Sequence, residues 1–120
     1  MDLLEVFKDS EDVVDFPAGS VIAREGSTGS HMYVVMTGEV TMAIGDNVLA
    51  TALPGEIVGE MALINSNVRS STIAAKTDCR LALIDQASFN SLVRYVPDFS
   101  IHVMKVLAER LRRAYEVIGR

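Results

Sequence analysis

The sequence predicts a mainly β fold, a small antiparallel barrel or roll followed by two helices. The first observation is a series of short segments rich in Val, Ile, Met and Leu, which fill residues 13–85 and are separated by turn-forming residues. The second is a change of period after residue 85, where apolar residues recur three and four positions apart. With 120 residues, 49% of them hydrophobic and 22% charged, the chain is predicted to form one globular domain over residues 1–120.

Seven segments have the length and composition of β-strands. Each is four to seven residues long, and sequences such as PAG, EGSTGS, TG, GDN and PGE between them are typical of turns. The segments are VVDF, SVIAR, HMYVVM, EVTMAI, NVLATAL, STIAA and CRLALID. They predict a β-rich body over about residues 13–85.

The segment EVTMAI shows the alternation expected of a half-buried antiparallel strand. One predicted face carries Val40, Met42 and Ile44, and the other carries Thr41 and Ala43. The sequence IGDNV that follows predicts a tight hairpin, because its Gly, Asp and Asn residues tolerate positive φ.

The first predicted helix covers about residues 86–96. Asp85 is placed to cap it and Pro97 to end it. Its apolar positions follow the spacing i, i+3, i+4 and i+7, and they are Phe89, Leu92, Val93 and Val96.

The second predicted helix covers about residues 98–118 and carries one stripe of apolar positions. We call these six positions the apolar stripe: Ile101, Met104, Ala108, Leu111, Tyr115 and Ile118. Their spacing is that of an a/d seam, although it covers few heptads. The stripe is consistent with packing against the rest of the chain and equally with dimerisation or contact with an effector protein, and the sequence leaves these alternatives open.

Charge and composition exclude several classes of protein. The net charge of −5 argues against binding nucleic acid through a basic face. It is uneven, since residues 1–60 carry a net −9 (2 basic, 11 acidic) and residues 61–120 a net +4 (9 basic, 5 acidic), so an anion is expected to be attracted to the second half.

No membrane insertion and no secretory signal are predicted. No apolar run approaches the roughly 20 residues of a membrane span, and the acidic N-terminus lacks a basic region followed by an apolar one. The single cysteine, Cys79, fits a reducing, cytoplasmic location and is predicted to be a packed strand residue.

The candidate binding site lies in GEMALINSNVRSST, residues 59–72. Gly59 allows a close approach of backbone to a ligand, and EMALI predicts a short helix whose first N–H groups, at Glu60, Met61 and Ala62, form an anion site. After a loop that can fold the chain back, the guanidinium of Arg69 suits the paired oxygens of a phosphate.

Other side chains extend the site. Ser70 and Ser71 add hydroxyl and N–H donors beside the arginine. A carboxylate near a phosphate is unfavourable unless it faces another group, so Glu60 is expected to accept a hydrogen bond from a ribose hydroxyl.

These residues resemble the phosphate-binding cassette of cyclic nucleotide-binding domains. That cassette has the pattern Gly-Glu-x-Ala-Leu, a short loop, then Arg, small residues and Ser or Thr. The upstream stretch PAGSVIAREGSTGSHMYVVMTGEV is similar to the family's early strands, with Gly19, Gly26 and Gly38 at its turn glycines and Tyr33 at its usual aromatic position. The resemblance covers nearly the whole chain.

The resemblance implies an eight-stranded antiparallel β-roll (jelly-roll-like) with C-terminal α-helices that binds cyclic AMP or cyclic GMP. By position, Glu60 with Gly59 would bind the ribose 2′-hydroxyl and Arg69 the cyclic phosphate. The phosphate cradle would also include Ser70, Ser71 and the amides of Gly59, Met61 and Ala62.

The sequence departs from the family pattern at three places. Val68 stands where proline often precedes the arginine, which leaves the rigidity of the loop open, and Val58 stands where an aromatic residue is usual. The N-terminal helical segment also looks shorter than usual.

The function predicted on this basis is a regulatory sensor, with cyclic AMP favoured and cyclic GMP open. Leu111, Tyr115 and Ile118 of the last helix would close over the base as a lid. The alternative is a degenerate domain that serves as a protein-interaction scaffold without binding nucleotide.

No enzyme activity, metal or cofactor is predicted. The two histidines, His31 and His102, are 71 positions apart, and the spacing of the other residues does not indicate a set of catalytic side chains. The family's transcription factors carry a helix-turn-helix after the long helix, where this sequence ends, so direct binding to nucleic acid is not expected.

Overall fold

The computed structural model describes residues 1–65 and 67–119. Ser66, in the predicted loop NSN, and Arg120 lie outside the described residues. The described residues form two compact units, one of residues Asp2–Gln86 and one that contains Met1 and residues 87–119.

The first unit is an antiparallel β-roll with two short helices. Its eight strands form two four-stranded sheets, with strand orders β1-β8-β3-β6 and β2-β7-β4-β5. In chain order the elements are α1 (Leu3–Phe7), β1 (Val13–Phe16), β2 (Val21–Ala23), β3 (His31–Thr37), β4 (Val40–Ile44), β5 (Asn47–Ala52), β6 (Ile57–Val58), α2 (Glu60–Ile64), β7 (Thr72–Ala75) and β8 (Cys79–Asp85). The predicted eight-stranded roll is confirmed, and the seven segments read from composition all form strands.

Apolar residues from both sheets form the core of the roll. Because side chains alternate across a strand, β7 buries Ile73 and Ala75 and β8 buries Cys79 and Leu81. Cys79 is therefore a packed strand residue, as predicted. Burial raises the pKa of its thiol, and the nearby carboxylates of Asp15 and Asp78 raise it further.

The predicted alternation in β4 holds for its first four residues. Val40 and Met42 are buried, but Ile44 is 46% exposed because it is the last residue before the hairpin turn. The pairing of β4 with β5 shifts register between Met42 and Ala43. Met42 lies opposite Ala50 and Ala43 lies opposite Val48, which marks a β-bulge.

The predicted hairpin joins β4 to β5. Ile44 pairs with Asn47, so the turn consists of Gly45 and Asp46. Gly45 has φ +57°, and neither Asp46 nor Asn47 has positive φ. Positive φ at the first turn position alone is the pattern of a type II′ turn, which needs only one glycine.

The second unit contains most of the helical residues. Helix α3 spans Gln86–Tyr95 and α4 spans Pro97–Ile118, so Pro97 follows the end of one helix and begins the next. The rings of Phe89 and Phe99 meet edge to face with centroids 5.9 Å apart, so the first turn of α4 packs against α3.

The apolar stripe does not supply the packed face of α4. The buried residues of this helix are Phe99 and Val103, whereas all six stripe residues are exposed. No helix in the described part of the chain is long and apolar enough to span a membrane.

Two glycine substitutions separate backbone strain from steric conflict. Gly19 (φ +86°) and Gly38 (φ +81°) are both left-handed, but a Cβ at Gly19 meets nothing within 4 Å. At Gly38 it would lie 2.7 Å from the Cβ of Cys79 and also meet the carbonyl oxygen of Asp78. We expect Gly19→Ala to lower the free energy of unfolding by about 1 kcal/mol. Gly38→Ala should lower it by about 1–3 kcal/mol more.

Urea denaturation of both variants at one pH measures these losses. Equal losses would show that the space around Gly38 can adjust and that only its backbone conformation requires glycine.

Candidate functional site

Gly59 links β6 to the short helix that begins the site. It adopts the left-handed conformation (φ +79°, ψ 8°) and stands at the N-cap of α2 without any side-chain cap. A Cβ at this position would also lie 2.6 Å from Nη1 of Arg69. The backbone angle therefore favours glycine, which has no side chain to cap the start of α2, and a Cβ here would displace Nη1 of Arg69.

The segment that carries Arg69 pairs with the loop between β2 and β3. The amide of Arg69 donates to Ser27 O (2.8 Å), its carbonyl accepts from Gly26 N (2.9 Å), and Gly29 N donates to Asn67 O (2.7 Å). This small antiparallel ladder, with a bridge between Thr28 and Val68, fixes the backbone of Arg69. The backbone of Arg69 is thus held in place by a loop about forty residues upstream.

Val68 takes no part in those hydrogen bonds through its own N–H. The bonds on either side of it belong to the neighbouring residues Asn67 and Arg69. A valine in place of the usual proline therefore removes no contact from the ladder, and the ladder itself holds the loop.

The guanidinium of Arg69 is buried among neutral groups. The residue is only 5% exposed. Nη1 donates to Gly59 O (3.1 Å), Nη2 lies 3.5 Å from the hydroxyl oxygen of Tyr33, and Cζ lies 5.4 Å from the centroid of the Tyr33 ring. Within residues 1–65 and 67–119, no carboxylate forms an ion pair with it.

A buried guanidinium without an acidic partner favours the binding of an anion on electrostatic grounds. Burying a charge is costly unless it is paired, and neutral acceptors compensate only part of the cost. Arg69 has five N–H donors, of which two are used by Gly59 and Tyr33. The remaining donors suit the paired oxygens of a phosphate.

Glu60 is the first residue of α2 and is 2% exposed. A negative side chain is favourable at a helix N-terminus because it faces the positive end of the helix dipole. Its position next to Gly59, whose carbonyl binds Arg69, places a buried acceptor and a buried cation at the same corner of the roll.

The structure brings the predicted cradle residues together. The contact between Arg69 and Gly59 joins residues 59–62 to residues 69–71. Ala62 is buried and Met61 is 38% exposed, and their amides are in the first turn of α2; Ser70 is exposed and Ser71 is half-buried. Leu111, Tyr115 and Ile118 belong to the second unit, where all three are exposed.

The part played by the loop of residues 26–29 is not visible in the local sequence. Gly29 is buried and its backbone binds Asn67, and Thr72 Oγ1 accepts a hydrogen bond from Glu25 N (3.0 Å). Nothing in the local sequence EGSTGS distinguishes Gly29 from an ordinary turn glycine. The relevant signal is a contact with a residue forty positions away.

No arrangement for metal binding occurs among the described residues. His31 lies in β3 with Nδ1 2.9 Å from Ser30 Oγ, and His102 lies in α4, where burial lowers its pKa. A shallow groove elsewhere contains none of the predicted site residues, and it is lined by Asp15, Phe16, Pro17, Thr37, Asp78, Cys79 and Arg80. Two of its charged groups pair with each other, Arg80 Nε lying 2.7 Å from Asp15 Oδ1, and Asp78 Oδ1 accepts a hydrogen bond from Ala18 N (2.8 Å).

Comparison with known proteins gives concordant matches. The model of the cyclic nucleotide-binding domain matches residues 13–95. The cAMP-dependent protein kinase regulatory subunit of Schizosaccharomyces pombe is 37% identical over 86 residues, which cover 71% of this chain and 21% of that protein. The CRP-like cAMP-activated global transcriptional regulator of Mycobacterium tuberculosis is 30% identical over 105 residues, covering 83% of this chain and 47% of that protein.

Solved structures agree with the fold. The catabolite activator protein of Thermus thermophilus superposes with a TM-score of 0.78 at 28% identity, over 89% of this chain and 53% of that one. This chain thus spans less than half the length of the two relatives named above. Since the family model matches more than two thirds of its residues, the chain belongs to the cyclic nucleotide-binding domain family.

Proposed function

We propose that this chain binds a cyclic nucleotide, with cyclic AMP favoured, and acts as a regulatory sensor domain. The observation that carries the proposal is the buried guanidinium of Arg69, whose partners among the described residues are neutral. A ligand with one negative charge would supply the missing counter-charge.

The phosphate is assigned to the cradle formed by Arg69 and the start of α2. The cyclic phosphate is a monoanion with two free oxygens, which matches a planar guanidinium and adjacent amides. Arg69 pairs with the phosphate, and Ser70, Ser71 and the amides of Gly59, Met61 and Ala62 complete the cradle.

The ribose is assigned to Glu60 and Gly59. A carboxylate accepts hydrogen bonds only, so it can recognise a hydroxyl group and repels a second phosphate. Burial of this carboxylate, 2% exposed, makes its hydrogen bonds strong, because water does not compete for them.

The preference for cyclic AMP rests on the relatives, whose names include cAMP in both the kinase regulatory subunit and the transcriptional regulator. Cyclic GMP is the alternative, because the exposed hydroxyl of Ser70 can contact either the phosphate or a guanine amino group. The location of the chain in the cytoplasm remains a prediction, supported by its single unpaired cysteine.

Helix α4 is proposed to be the part of the domain that moves when the nucleotide binds. Its stripe residues Leu111, Tyr115 and Ile118 are 52%, 64% and 81% exposed, so each has apolar surface available to a base. The hinge is proposed near Pro97 and Asp98, directly after Val96, which is not helical (φ −125°, ψ 82°). The same stripe suits a homodimer or an effector protein, which would bury it in another way.

The first prediction concerns the phosphate contact. Arg69→Ala should weaken cyclic AMP binding by about 2–5 kcal/mol, because it removes one member of a buried charged contact. Arg80→Ala is the matched control, since it also removes one positive charge but from an exposed ion pair with Asp15. Isothermal titration calorimetry measures the affinities of the wild type, Arg69→Ala and Arg80→Ala for cyclic AMP and cyclic GMP.

Equal affinity of Arg69→Ala and the wild type would disprove the assigned site. Absence of binding by the wild type to either nucleotide would favour the scaffold alternative.

The second prediction concerns the ribose. Glu60→Gln should weaken cyclic AMP binding about tenfold, because a charged acceptor becomes a neutral one. It should also discriminate less than the wild type between cyclic AMP and 2′-deoxy cyclic AMP. Glu56→Gln, at an exposed position, is the control for the change in charge. If the wild type binds the 2′-deoxy nucleotide as tightly as cyclic AMP, Glu60 does not recognise that hydroxyl.

The third prediction concerns α4. Cyclic AMP should increase the protection of amides 100–118 from hydrogen exchange, because the ligand shifts the population only if it binds the closed arrangement better. Arg69→Ala at the same nucleotide concentration is the control. Equal protection with and without nucleotide would mean that the helix is permanently docked, and protection that rises with protein concentration would indicate dimerisation instead.

A further inference from the structure

We propose that Gly29 and Tyr33 form a clamp that fixes the guanidinium of Arg69 in its anion-binding position before any ligand arrives. This inference rests on the proposed function, because it names the residues that position the phosphate-binding group. Neither residue is assigned a contact with the nucleotide.

Gly29 provides the first side of the clamp through its small size. Its φ lies outside the left-handed region, so an alanine could adopt its backbone conformation without strain. A Cβ at this position would nevertheless lie 2.5 Å from Cζ of Arg69 and 2.9 Å from Nη2, and it would also meet Nε. The guanidinium thus occupies the space that a side chain at residue 29 would need.

The backbone of Gly29 cannot easily move away from the arginine. Gly29 N donates to Asn67 O (2.7 Å), and the next rung of the same ladder joins Arg69 N to Ser27 O (2.8 Å). The ladder that sets the position of Arg69 therefore also sets that of Gly29. Relief of the steric conflict in Gly29→Ala would have to come from the arginine side chain.

Tyr33 provides a second side through its ring. The centroid lies 5.4 Å from Cζ of Arg69, within the range of a cation–π interaction. The hydroxyl oxygen lies 3.5 Å from Nη2, at the limit of a hydrogen bond, so the ring is the larger contribution. Tyr33 is fixed in the middle of β3, where it pairs with Leu83 on one side and Val58 on the other.

The clamp restrains the guanidinium without neutralising it. A carboxylate in the same position would order the side chain equally well, but it would compete with the phosphate for the positive charge. Neutral contacts avoid this competition. Ordering the side chain in advance should improve affinity, since immobilising a flexible side chain on binding costs about three- to tenfold.

A double-mutant cycle tests the role of Gly29 with cyclic AMP as the ligand. Gly29→Ala should weaken binding at least about tenfold when Arg69 is present. The same substitution in the Arg69→Ala background should leave the residual affinity, measured by NMR titration, the same as in Arg69→Ala alone. An equal loss in both backgrounds, or no loss in either, would overturn the proposal.

Substitutions at Tyr33 provide an independent arm. Tyr33→Leu removes the ring and should weaken binding about three- to tenfold, whereas Tyr33→Phe keeps the ring and should lose less. Gly19→Ala, which strains the backbone where a Cβ meets nothing within 4 Å, shows whether lost stability alone reduces affinity. Equal losses for Tyr33→Leu and Tyr33→Phe would contradict the role of the ring.

A measurement without nucleotide separates failure of the clamp from failure of the proposed function. In the ligand-free wild type, the NMR order parameter of the Arg69 Nε–Hε group should be near 0.85, about the value of a rigid backbone. In Gly29→Ala and Tyr33→Leu it should fall below about 0.6, the range of a flexible group. If the wild type binds no cyclic nucleotide but shows this pattern, the proposed function fails and the clamp stands. A mobile Arg69 in the wild type would overturn the clamp even if cyclic AMP binds.

Discussion

The arrangement of the roll around Arg69 depends on the burial of one positive charge. Arg69 is 5% exposed, and its guanidinium rests on the carbonyl of Gly59 and on the ring of Tyr33. Neutral contacts of this kind compensate only part of the cost of burying the charge. Two positions next to the guanidinium, Gly29 and Gly59, lack side chains because any Cβ there would overlap it.

The antiparallel roll is suited to making this arrangement, because it brings distant segments side by side. The segment 67–69 pairs with the loop 26–29, and Tyr33 reaches the same corner from β3. Thr72, at the start of β7, binds the amide of Glu25 and so closes the other end of that loop. Each support is a backbone hydrogen bond or a residue in a regular strand, which keeps the geometry rigid.

The sequence alone predicts the parts of the structure that local patterns determine. The strands follow from short apolar segments between turn residues, and the cassette with Arg69 and Glu60 follows from a motif of fixed spacing. Strand β6 has no such signal, because Ile57–Val58 is too short to show a period. The position of Gly29 also has no local signal, because this residue leaves space for a side chain that is remote in sequence. The exposure of the apolar stripe also depends on tertiary packing, in which Phe99 and Val103 supply the buried face of α4.

Local geometry, rather than net charge, makes an anion site possible in this acidic chain. The net charge of −5 should weakly repel an anion at long range, but salt screens that repulsion beyond about 8 Å at physiological ionic strength. Inside the cradle, the guanidinium is shielded from water and no described carboxylate pairs with it, so its attraction for a phosphate acts at short range and in a medium of low polarity. Because the ligand would then be the counter-ion that the fold lacks, its binding should also stabilise the fold, which physically couples the occupancy of the site to the state of the domain.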